Sequence, residues 1–167
     1  DDAGKFYQLN GDSANPELVP PAFGPYGVVV AGWTDDELEL VVGPTLEEMS
    51  LLQRRDEGAT GAAVPVRVLT QADLNSTLEE VLTSLPEMDA VLPEHGEEAK
   101  LAHPLLLFSG WEPWLMIETV RKFRGLVALR QIKREPMAAM VVPRAMQKPM
   151  LDLVGEIQGD FEANLAG

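Results

Sequence analysis

The chain's two histidines, His95 and His103, lie in an acidic stretch with Glu94, Glu97 and Glu98. Carboxylate oxygens gathered in this way can hold a hard cation, and one imidazole with two carboxylates can hold a transition metal. Pro93 and Gly96 break the stretch, which makes it a surface connector whose acids are solvated. No metal and no cofactor is assigned to it. The absence of cysteine excludes disulfides, thiolate nucleophiles and cysteine-rich zinc sites. Ser109-Gly110 falls at a predicted strand-to-helix turn, where a nucleophile elbow would place its serine. That motif needs glycine two residues before the serine, and Leu107 stands there. Neither histidine has a reason to approach Ser109. Ser109 and Gly110 are therefore read as tight-turn residues, no catalytic residue is assigned, and no enzymatic activity is expected.

Two binding chemistries remain. Amide groups at a helix N-terminus attract anions. Ahead of one predicted helix Asp35, Asp36 and Glu37 already supply negative charge, whereas ahead of a later one only Glu112 does, and Arg144 follows a strand expected on the same sheet edge. Gly110, Trp111 and Arg144 thus form a candidate site for a small acidic ligand, although no glycine-rich phosphate fingerprint accompanies them. The second chemistry is charge. The net charge of -14 divides unevenly: residues 1–103 hold 20 acids against 5 bases, and residues 104–167 hold 7 acids against 8 bases. All eight of those bases lie between Arg121 and Lys148. Trp114, Arg121, Lys122, Arg124, Lys133 and Arg134 are the candidate partner-binding residues, because tryptophan and arginine dominate interface energetics. The same charges also suit a solvated helix end that pairs with the acidic first half. Nucleic acid is disfavoured as a partner, since the overall charge repels phosphate and no aromatic-rich strand of the RNA-binding kind is present.

These residues depend on elements that recur. Val28-Val29-Val30-Ala31-Gly32-Trp33 returns 78 positions later as Leu106-Leu107-Phe108-Ser109-Gly110-Trp111. Val68-Leu69-Thr70 returns as Val141-Val142-Pro143 at an offset of 73, which sets Leu78 against Leu151 and Val81 against Val154. Chance likeness between α/β segments is the competing explanation. The expected fold class is α/β, with tandem duplicated β-α-β-α units in pseudo-twofold symmetry around a shared mixed or parallel sheet. A proline-rich arm (1–26) precedes the first unit (27–86), an acidic connector (87–103) leads to the second (104–160), and a tail (161–167) closes the chain. Strands are predicted over 28–31, 64–69, 105–108 and 137–142, with an additional weak one over 127–132.

Helices carry their own punctuation. Thr34-Asp35-Asp36-Glu37 and Ser76-Thr77-Leu78-Glu79 have the spacing of capping boxes. Gly43-Pro44 should end or kink the first helix, after which Leu46, Met49 and Leu52 face inward. Pro113 and Pro149 suit first-turn positions, the former opening a helix to about residue 123 and the latter a helix over 147–158. No run approaches the roughly eighteen apolar residues of a membrane span, so a soluble protein with no transmembrane segment is expected.

The string Leu105-Leu106-Leu107-Phe108-Ser109-Gly110, its following helix, and Met137-Ala138-Ala139-Met140-Val141-Val142-Pro143 before a last helix together resemble a small bacterial and plastid domain family of unknown function. That family carries an aliphatic strand ending in Phe-Ser-Gly and a later strand ending near Thr-Pro; here Val142 stands where the threonine is usual. The resemblance covers roughly residues 104–160 and implies an α/β fold in a bacterial cytoplasm or plastid stroma, with no chemistry attached. The residues themselves lead to one expectation: a non-enzymatic protein-interaction module, an assembly or regulatory factor docking another protein through the basic surface of the second unit. The alternative is a sensor of small acidic ligands in the cleft between the units.

Overall fold

A computed structural model of the protein describes residues 7–8, 21–56, 64–85 and 98–166. Its centre is a mixed sheet of β1 (Tyr7–Gln8), β2 (Gly27–Ala31), β3 (Val66–Val68), β4 (Leu105–Ser109) and β5 (Met137–Met140) in the order β1-β5-β4-β2-β3. β2 and β3 run parallel, as do β4 and β5, while β2 pairs antiparallel with β4 at the centre. β2, β4 and β5 are buried at every position. Continuous apolar runs rather than alternating ones are what a sheet covered on both faces demands.

The first helical stretch is composite. α1 (Asp35–Glu37) opens with the expected capping box: Thr34 Oγ1 accepts from the Glu37 amide at 3.0 Å, and Glu37 Oε1 accepts from the Thr34 amide at 2.9 Å. A π-helical turn (Leu38–Val42) follows and passes directly into α2 (Gly43–Asp56). Gly43-Pro44 therefore neither ends nor breaks the helix. Proline removes one helical donor and crowds the carbonyl four residues back, and the wider π turn just before it, closed by Gly43 N–H donating to the Leu38 carbonyl, absorbs that conflict. Leu38, Val42, Leu46, Met49 and Ser50 are buried on this helix, whereas Leu52, expected inside, is exposed. The buried face turns toward Ser50, whose Oγ donates to the Glu47 carbonyl at 2.9 Å.

After β3, Arg67 pairs with Asp73 at 2.6 Å and ties a 3-10 turn (Ala72–Asn75) to the strand. The capping box of α3 (Leu78–Thr83) is built by Thr77 and Glu80, one residue later than expected for each partner. Both Ser76 and Thr77 can cap, and the glutamate pair Glu79-Glu80 offers either register. α4 spans Pro113–Ala128 with Pro113 in its first turn. The weak strand expected over 127–132 does not form, because α4 continues through Val127 and the chain then turns at Arg130, whose φ is +61°. A 3-10 turn (Pro143–Ala145) leads from β5 to α5 (Met150–Ala166), which is longer than the helix predicted over 147–158.

Several contacts come in reciprocal pairs. β2 and β4 cross with Gly27 opposite Ser109, Val29 opposite Leu107 and Ala31 opposite Leu105. Leu69 N–H donates to the Val30 carbonyl at 2.9 Å, and Val141 N–H to the Phe108 carbonyl at 2.8 Å. Leu78 N–H donates to the Lys148 carbonyl at 3.0 Å, and Met150 N–H to the Ser76 carbonyl at 2.8 Å. Leu78, Val81, Leu82 and Leu85 are buried, and so are Met150, Leu153, Val154 and Ile157, 72 positions on. Leu151, which an offset of 73 sets against Leu78, is exposed.

Candidate docking surface

Each β2 and β4 strand ends in a glycine-tryptophan corner. Gly32 (φ +78°) and Gly110 (φ +71°) take the left-handed conformation that L side chains avoid. A Cβ on Gly32 would meet the His103 carbonyl oxygen at 2.9 Å, and one on Gly110 the Gly24 carbonyl oxygen at 2.8 Å. The tryptophans then point inward. Trp33 donates Nε1 to the Leu105 carbonyl at 3.1 Å and packs tilted on Phe123. Trp111 is fully buried between Tyr26, stacked at 5.7 Å, and Phe108, edge-on at 5.1 Å.

Trp114 behaves differently. In the first turn of α4 it is 40% exposed, the only exposed tryptophan of the three. The exposed positions of α4 continue through Glu118, Arg121, Lys122 and Gly125 to Leu129 just past its end. Spacings of three and four make this one stripe along the helix, about 22 Å from Trp114 to Leu129 at the usual rise. A Cβ added to Gly125 would meet nothing within 4 Å. An exposed glycine in a helix interior costs roughly 0.5–1 kcal/mol relative to alanine, and this one leaves bare backbone at the middle of the stripe.

The basic residues of this region are largely engaged. Arg121 pairs with Glu118 at 2.5 Å, Lys122 with Glu48 of α2 at 3.2 Å, and Arg124 with Glu135 at 3.7 Å. Exposed pairs like these contribute about 0–1 kcal/mol each, so they orient the cations without burying them. Arg134 donates to the carbonyls of Gly32 (2.8 Å) and Ala102 (3.2 Å), which makes it a staple of the first corner. Lys133 is exposed beyond the helix. The candidate set thus divides: Trp114, Arg121 and Lys122 share the stripe, with Arg124 half-buried beside it, and Arg134 holds the fold.

The alternative ligand site is distributed over different depths. Arg144 is exposed on its 3-10 turn, Trp111 is fully buried, and Gly110 N–H donates to the Phe23 carbonyl at 2.9 Å. Among the described residues, Ser109 Oγ and Trp111 Nε1 are buried without a hydrogen-bond partner. His103 is absorbed by the fold: its Nε2 lies 2.8 Å from Glu162, and its ring packs edge-on against Phe161. Glu94, His95 and Glu97 lie outside the described residues. Among the described residues no group of three or more acids and histidines is placed to hold a metal, and no helix is long and apolar enough to cross a membrane. Burial, then the nearby charge of Asp35, raises the pKa of Glu98 above its ordinary 4.5. A groove of about 560 Å³ runs along α5 between Lys148, Leu151, Asp152, Gly155 and Glu156, where Lys148 Nζ is held by Glu156 at 2.8 Å.

Compared with known proteins, the chain matches no family model, no curated protein and no solved structure. Its function has to be argued from its own surface. The signals that periodicity missed are apolar: Leu40, Leu51 and Leu52 on the composite helix and Leu129 after α4 are all exposed.

Proposed function

We propose that the chain is a tandem duplication that works as a non-enzymatic protein-interaction module, an assembly or regulatory factor docking its partner on the exposed face of α4. The duplication is supported by contacts that exchange into one another. Shifting the pair Gly27–Ser109 by 78 in opposite senses yields Leu105–Ala31, which is also paired, and the bond from Leu78 to Lys148 becomes, at 72, the bond from Met150 to Ser76. In this reading two β-α-β-α units meet about a twofold axis between Val29 and Leu107, and only the second has turned its helix start into a recognition surface.

One observation carries the docking reading: Trp114 is left in solvent while Trp33 and Trp111 are packed away. A large amphipathic ring on a rigid helix, followed by two oriented cations, is the composition that concentrates binding energy at interfaces. The test replaces Trp114 with Asp and Arg121 with Glu together. Both side chains are exposed, so melting should move by no more than a few degrees, and capture of the wild-type partner from extract should be lost. Equal capture by the variant removes the proposal.

A second reading has its own support. The unpartnered Ser109 Oγ and Trp111 Nε1 lie beside Gly110 at the carboxyl end of the parallel pair β4 and β5, where α/β proteins commonly hold ligands. A sensor of small acidic ligands there would melt several degrees higher with its ligand, and Arg144→Ala would abolish the rise.

A further inference from the structure

Of the seven exposed large apolar side chains among the described residues, five belong to one helical layer: Leu40, Leu51 and Leu52 on the composite helix, Trp114 and Leu129 on or just after α4. α2 and α4 pack on each other and are bridged by Glu48 and Lys122. They are about 21 and 24 Å long with axes about 8–10 Å apart, a paired face of the order that a stable two-protein contact covers. Scattered apolar residues need no explanation, whereas a set concentrated on one face marks an interaction surface.

The charges on that face say what fits it. The composite helix, residues 35–56, holds seven acids and two bases, with Asp35, Asp36, Glu39 and Glu48 exposed. The neighbouring stripe on α4 presents Arg121 and Lys122, with Glu118 as its only exposed acid. One helix is therefore the electrostatic complement of the other, and Glu48 already reaches Lys122 within the chain. A surface made of two complementary halves side by side matches itself after a twofold rotation. Resting on the docking reading above, we infer that the partner is a second copy of this chain: the acidic composite helix of one copy lies on α4 of the other, and the reverse, with Leu40, Leu51 and Leu52 of each facing Trp114 and Leu129 of its mate. Gly125 lets the facing helix approach the α4 backbone closely.

The inference is tested by sedimentation at about 50 µM, above the micromolar affinity expected of even a modest interface. The wild-type chain should sediment as a dimer. A variant with Asp35→Lys, Asp36→Lys and Glu39→Lys leaves Glu48 as the one exposed acid of its helix among the described residues and makes both halves of the face basic, and one with Arg121→Glu and Lys122→Glu makes both acidic, so each alone should be monomeric. Mixed, the two should restore a one-to-one dimer, which misfolded variants could not do. A monomeric wild-type chain, or a mixture that stays monomeric, overturns the second copy as partner. If the wild-type chain is monomeric yet loses capture of a different protein on Trp114→Asp, the docking reading stands and the face belongs to that protein. If neither self-association nor capture responds, both readings fall.

Discussion

The two glycine-tryptophan corners share a backbone and differ in how their polar atoms are satisfied. At the first, Ala31 precedes the glycine, Trp33 Nε1 reaches the Leu105 carbonyl, Arg134 holds the Gly32 carbonyl, and Thr34 caps the helix. At the second, Ser109 takes the place of alanine, and neither its buried hydroxyl nor Trp111 Nε1 has a hydrogen-bond partner among the described residues. Leaving a buried donor unsatisfied costs about 1–3 kcal/mol. The first corner is finished as structure. The second carries two buried groups that its own packing does not use, and it is the one whose helix puts a tryptophan into solvent.

The largest effect should come from the glycines. Gly32→Ala and Gly110→Ala each force a side chain into left-handed backbone and within 3.0 Å of main-chain atoms across the turn. Each should cost about 3 kcal/mol, roughly 6–12 °C of melting temperature at this chain length. Thermal unfolding of the two variants side by side sharpens the comparison. Equal losses mean one turn used twice, and a loss confined to one variant breaks the equivalence.

The next effect separates the corners. Trp33→Phe and Trp111→Phe remove similar ring volume, but the first also breaks the buried bond to the Leu105 carbonyl while the second deletes a donor with no partner among the described residues. Trp33→Phe should therefore be about 1–2 kcal/mol the more costly of the two in urea unfolding. Ser109→Ala converts the second corner to the chemistry of the first, and it should be neutral or stabilising by up to about 1 kcal/mol. A clear destabilisation by Ser109→Ala would mean that the hydroxyl has a structural partner, and the contrast between the corners would lapse.

These corners were the most legible part of the chain, because Gly-Trp after an apolar run is a local signal that needs no knowledge of what packs against it. Errors arose where neighbouring residues offered equal chemistry. Ser76 and Thr77 both cap, so the second box slipped by one. Aligning Val68-Leu69-Thr70 with Val141-Val142-Pro143 gave an offset of 73, whereas the parallel ladders, with Val66 opposite Val28 and Ala138 opposite Leu106, follow 72. The exposed leucines were illegible for another reason. Leu46, Met49 and Leu52 all follow the π turn, and successive steps of three drift by about 60° each against the 3.6-residue period, so the buried face that holds Leu46 and Met49 passes to Ser50 and leaves Leu52 outside. Of the candidate surface, Trp114, Arg121 and Lys122 could be named from residue type, but Arg134 could not be separated from them, since its targets, the Gly32 and Ala102 carbonyls, are far away in sequence.

The smallest effect is electrostatic and belongs to the first corner, which is satisfied in hydrogen bonds but not in charge. Glu98 pairs with Thr70 beside β3, and its pKa is raised by partial burial and then by Asp35. A carboxyl that binds its proton more tightly when folded than when unfolded adds stability at low pH, and that contribution is lost as pH rises from the ordinary carboxylate value through the raised one. Glu98→Gln cannot ionise, so it keeps what the wild-type chain loses. Glu98→Gln should gain on the wild-type chain as pH rises from about 4 to 7, and the gap should then level off. Comparing the two chains cancels every other carboxylate that titrates in that range. A gap that is flat across it, or that closes as pH rises, would mean that Glu98 ionises without penalty and that the first corner carries no charge strain to set against the unsatisfied donors of the second.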